Sequence, residues 1–121
     1  MDQRQGTEEL PFTTLDLQQS IQALRQDSSG EKSDHHSAVL HKAEKLRIVL
    51  IGVKEGGEIK RHQANGPITV HVLEGSIRFL TDAGSAELSQ GQVLTLPPNV
   101  PHSVEATKES FFLLTLVPGS A

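Results

Sequence analysis

Imidazole is the side chain best able to act as a base, a metal ligand or a hydrogen-bond partner near neutral pH. This sequence places six of them, at His35, His36, His41, His62, His71 and His102. No cysteine occurs among its 121 residues. Thiolate nucleophiles, thiolate metal sites and disulfides are therefore excluded together, and any metal must be held by His and carboxylate. Two of the histidines sit in turn-rich words. His62 follows Gly56 after five residues, and His102 closes the run Gly91-Gln-Val-Leu-Thr-Leu-Pro-Pro-Asn-Val-Pro-His. His35, His36 and His41 fall at the start of the first strand expected below and read as exposed.

The elements that must position these residues are mostly strands. Beyond about residue 35 the chain is a series of short β-type runs, near 36–42, 45–53, 58–64, 67–73, 76–80, 85–88, 93–96, 101–106 and 110–117. Gly56-Gly57, Asn65-Gly66-Pro67, Glu74-Gly75, Asp82-Ala83-Gly84 and Gln90-Gly91 supply the reversals between them. That pattern predicts an all-β antiparallel sandwich or barrel. Ahead of it, Leu17, Ile21 and Leu24 form one helical stripe, predicting a helix over about residues 15–26 with Thr13 or Thr14 as its cap and Asp16 in its first turn. The stripe is ordinary packing surface. Residues 1–12 are polar and aperiodic, and residues 27–34 gather turn formers, so the chain divides into an arm with a short helix, 1–34, and a barrel domain, 35–121.

Two runs, Ile48-Val49-Leu50-Ile51 and Phe111-Phe112-Leu113-Leu114, are apolar on both faces, whereas a sheet wetted on one side alternates. Something must cover their outer side. The helix can cover part, and a second copy of the chain is the more economical cover for two such strands, which predicts a homodimer.

Eleven Lys and Arg against fifteen Asp and Glu give a net charge of −4 with no basic cluster, which argues against a nucleic-acid partner. Neither an apolar leader nor a run of membrane-spanning length is present, so the expectation is a soluble, cytoplasmic protein with no membrane partner.

The two histidine blocks resemble the paired motifs of the cupin superfamily, with the short intermotif stretch of its small single-domain bacterial members. Val72-Leu-Glu-Gly75 and Pro97-Pro-Asn-Val-Pro-His102 are the most specific words, and the resemblance covers about residues 36–117. It implies an antiparallel double-stranded β-helix, the cupin or jelly-roll barrel, following the short N-terminal helix. It also implies that His62, position 64, position 68 and His102 face inward, where metal-binding members carry His, His, Glu and His. Here position 64 is Ala and position 68 is Ile, neither of which offers a lone pair, leaving two imidazoles where a catalytic site ordinarily has three protein ligands. Strand parity puts His71 with Thr69 and Leu73, away from Ile68, Val70 and Val72. Only a β-bulge between Pro67 and His71 would bring it in as a third ligand. By the same parity Glu58 and Lys60 share the face of His62 but lie toward the other end of its strand. Asn99, where the family has Gly, is among the few residue types that tolerate a left-handed backbone.

Several functions stay open. One is a binding or sensing module whose barrel mouth, lined by Ile68, Val70, Val72, Leu94, Leu96 and Phe79, closes over a small organic molecule with His62 and His102 as polar contacts. A second is an enzyme: a dioxygenase or isomerase if His62 and His102 hold a divalent Fe, Mn, Ni or Zn ion, or a metal-free histidine-base catalyst like the cupin epimerases of deoxysugar synthesis. No Asp stands at a spacing that supplies such a base with an orienting partner. A third is a dimeric scaffold whose site has decayed. The absence of Tyr and Trp leaves Phe79, Phe111 and Phe112 as the aromatics of the barrel region, which thins the options for stacking a sugar or flavonoid ring.

Overall fold

The computed structural model describes residues 10–27 and 33–119. The helix α1 spans Leu17–Gln26, and nine strands follow: β1 His35–Ala43, β2 Leu46–Val53, β3 Glu58–His62, β4 Ile68–Glu74, β5 Ser76–Thr81, β6 Gly84–Ser89, β7 Val93–Leu96, β8 His102–Ala106 and β9 Ser110–Leu116. All nine expected strands form. The loose arm expected over residues 1–12 and the middle of the loop expected over 27–34 lie largely outside the described residues.

The strands make two antiparallel sheets, ordered β1-β2-β9-β4-β7 and β3-β8-β5-β6, packed as a jelly roll. Alternation decides what each strand buries. Along β4, Ile68, Val70 and Val72 are buried between the sheets while Thr69 and His71 are half-buried on the other side. Against them pack Ile77 and Phe79 of β5, Val104 of β8 and Phe112 of β9, forming the main core.

The helix starts differently from the sequence expectation. Asp16, not Thr13 or Thr14, is the cap: it lies in extended backbone, and its Oδ1 accepts the Gln19 N–H at 3.0 Å. A carboxylate there satisfies an orphan donor and also suits the positive helix end, which a hydroxyl does less well. Ile21 and Leu24 then bury against Leu50 of β2 and Phe111 of β9, with Ala38, Leu40, Leu73 and Leu113 around them. The helix thus covers the outward residues of the two strands that are apolar on both faces. Burying two such side chains contributes about 1.5–3 kcal/mol each. Arg25 fixes the docking, with its guanidinium nitrogens 2.7 Å from Glu74 Oε1 and 2.9 Å from Glu109 Oε1 and its carbon 4.8 Å from the centre of the Phe111 ring.

Candidate site in the barrel interior

Register places the two histidines. His62 ends β3 and His102 begins β8, and they are direct cross-strand partners. Going back from that pair, Ile59 opposes Val104, so three steps on β3 match two on β8. This is a β-bulge, and it moves a strand's parity by one. As a result Ile59, packed against the main core, joins His62 on the interior, and Glu58 and Lys60, expected on the His62 face, border the same cavity. The bulge that could have turned His71 inward is absent: β4 pairs with β7 and with β9 in unbroken register from Ile68 to His71. His71 stays on the outer face, opposite Val93 and Leu113.

The imidazole rings of His62 and His102 lie with centroids 4.4 Å apart and planes at 58°. Phe79 stacks on His102 at 5.1 Å and 16°. His62 is exposed and His102 is only 4% exposed, so the pair runs from the rim inward. Each ring has the same anchor. His62 Nδ1 lies 2.8 Å from the Lys60 carbonyl, on the bulge, and His102 Nδ1 lies 2.8 Å from the Val100 carbonyl. A carbonyl only accepts, so each Nδ1 must carry the proton, and in the neutral ring Nε2 is left as a bare lone pair. Burial pushes the His102 pKa below the ordinary histidine value; the Val100 carbonyl partly opposes this, and the neighbouring His62 charge adds to it. His102 is therefore neutral at pH 7.

Both rings border a cavity of about 800 Å³. Its wall is mainly apolar: Ile68 and Val70 of β4, Phe79 of β5, Val104 of β8, and Ile51, Phe112, Leu114 and Leu116 of β2 and β9. Asp34, His35, Ser37, Glu58 and Lys60 supply the remaining polar groups of that wall. Of the residues singled out in the sequence, His62, His102, Ile68, Val70 and Phe79 share this cavity. Val72 is fully buried in the core, and Leu94 and Leu96 line a separate groove of about 290 Å³, which also reaches Phe79. The contribution of β2 and β9 was not foreseen. Its signal was the two doubly apolar runs, whose inward halves face the cavity while their outward halves meet the helix.

Ala64 and Ile68 also border the cavity, so all four family ligand positions converge, but only two of them bear donors. Among the described residues no group of three or more His, Asp or Glu side chains is placed to hold a metal ion. Two imidazoles facing a methyl and a butyl group do not fit the four-ligand ion of metal-binding members. Asn99 has φ 64°, in the left-handed region, and its N–H donates to the Ala64 carbonyl at 2.7 Å, tying the His102 loop to the end of the His62 segment.

The family model for the cupin domain matches residues 49–117, and this chain belongs to that family. Among solved structures it is similar to an RmlC-like cupin protein from Desulfovibrio desulfuricans, at 31% identity over 69% of this chain and 82% of that one, with a TM-score of 0.64. It is also similar to a conserved protein of unknown function from Streptococcus pyogenes, at 24% identity over 96% and 95% of the two chains, TM-score 0.69. A third is KdgF from Halomonas sp., at 17% identity over 72% and 81%, TM-score 0.65. No curated protein matches. No described helix is long and apolar enough to cross a membrane.

Proposed function

We propose that this chain is a binding or sensing module that takes a small organic molecule into the barrel interior, with His62 and His102 as its polar contacts. The observation that carries the reading is the pairing of two Nε2 lone pairs with a largely apolar cavity of about 800 Å³ that, among the described residues, offers a metal no third donor. A cavity of this size and makeup matches the usual small-molecule site. The module is a cytoplasmic homodimer in this reading. Supporting the second copy are the edge strand β1 and its Val39, which is 58% exposed on the face that β1 shares with the cavity residues Ser37 and Val49.

A metal-free histidine-base enzyme is the second reading, favoured by the neutral, desolvated His102. Its weakness is that Nδ1 of His102 is oriented by a backbone carbonyl and not by a carboxylate, which would strengthen the base.

Mass spectrometry of freshly purified protein under non-denaturing conditions, followed by solvent extraction, tests the first reading. A co-purified organic molecule, displaced in His102→Phe, is the expected result. A chain that carries a stoichiometric ion and takes up no organic compound would overturn it.

A further inference from the structure

The polar chemistry of the cavity is one-sided. Nδ1 of His62 and of His102 each donates to a backbone carbonyl 2.8 Å away, so a ring carrying one proton turns only the acceptor Nε2 toward a ligand. A ligand that brings only acceptors would leave both Nε2 atoms without a donor, at a cost that falls mainly on the buried His102. The charges bordering the cavity discriminate further. Among the described residues Lys60 is its sole Lys or Arg, and it is exposed, while Asp34 and Glu58 oppose it with two carboxylates. Asp34 is itself engaged, accepting the Glu58 N–H at 3.1 Å and lying 3.9 Å from Lys54. An anionic ligand would therefore enter between carboxylates without a buried cation to meet it. An ammonium group could donate to Nε2 but would leave water for a mainly apolar wall whose two carboxylates, Asp34 and Glu58, stay solvated and already have Lys54 and Lys60 near them or on the same wall.

We infer that the ligand of this cavity is an uncharged, mostly apolar molecule whose hydroxyl groups donate to Nε2 of His62 and of His102. This rests on the proposed binding function and narrows it to a chemical class. The adjacent rings, 4.4 Å apart, suit two neighbouring hydroxyls better than one. The same arrangement disfavours carboxylates and phosphates, which need donors.

A matched aromatic series separates the inference from the reading beneath it. Naphthalene, 2-naphthol, naphthalene-2,3-diol and 2-naphthoate share one ring frame and differ in the polar edge, and their binding is followed by fluorescence titration at pH 7.5. The expected order is diol, then naphthol, then naphthalene, with naphthoate weakest, and each hydroxyl strengthening binding about five- to tenfold. In His62→Ala, whose exposed position spares the fold, the diol should lose about tenfold and naphthalene should stay within about twofold. Naphthalene binding as tightly as the diol, or naphthoate binding best, would overturn the hydroxyl assignment and leave the cavity as a binding site. Failure of all four compounds to bind would overturn both.

Discussion

Phe79 and His102 lie nearly parallel, ring centroids 5.1 Å apart, and the Phe79 ring belongs both to the wall of the main cavity and to that of the groove beside Leu94 and Leu96. One side chain thus supports the buried imidazole and partitions two voids. Phe79→Ala should join them and destabilise the barrel by about 3–5 kcal/mol, measured by urea unfolding. A loss below about 1 kcal/mol would mean that the site collapses around the gap and that Phe79 is not a partition.

The depressed His102 pKa makes stability depend on pH with a definite sign. Its folded value is below the unfolded one, so in the interval between them the unfolded chain binds more protons and stability rises with pH. The contribution is complete above the unfolded value of about 6.5 and is lost as pH falls through the folded value. Of the titratable groups that line the same cavity, His62, Glu58 and Lys60 lie on β3, Asp34 precedes β1 and His35 opens it, none comes from β4 or β9, and His62 is the one whose charge bears on His102. Asp82, held below the usual carboxylate range by Arg61, loses its contribution only at lower pH. The thermal midpoint should therefore begin to fall just below neutrality, and His102→Gln should flatten that part of the profile. An unchanged profile in the variant would place the titration elsewhere.

Gly75 turns β4 into β5 with φ 89°, and a Cβ there would run into Ser110 Oγ and the Glu109 carbonyl oxygen. Ser110 is fully buried and accepts the Ser76 N–H at 2.9 Å, so the neighbour has little room to yield. Gly75→Ala should cost about 2–4 kcal/mol, combining backbone strain with overpacking. A variant as stable as the parent in denaturant unfolding would contradict the packing at this corner.

How much was legible followed from how local each signal is. The strands were visible because Gly75, Gly56 and Gly91 mark reversals and the segments between them alternate or run apolar. The convergence of His62, Ala64, Ile68 and His102 on one cavity was visible through the resemblance. Two things were not. The β3 bulge has no marker residue, since it arises where Ile59 and His62 both find partners on β8. The sequence leaves the cover over β2 and β9 divided between the helix and a second copy, because the stripe of Ile21 and Leu24 does not say which surface it meets; in the fold it meets Leu50 and Phe111.

Because the four ligand positions still border one cavity, restoring donors should restore a metal site. Ala64→His combined with Ile68→Glu is expected to bind one divalent ion per chain, raising the thermal midpoint on metal addition and lowering it with chelator. Without metal, the carboxylate newly buried on β4 should make the variant less stable than the parent. No metal uptake at millimolar concentrations would show that the positions no longer converge in solution.

The state of the two Nε2 atoms decides between a bare acceptor pair and every alternative. Nitrogen-15 NMR of imidazole-labelled protein at pH 7.5 reads each ring directly. His62 and His102 should both show a protonated Nδ1 and a bare, metal-free Nε2. A protonated Nε2 on either ring, or the coordination shift of a bound ion on both, would contradict it.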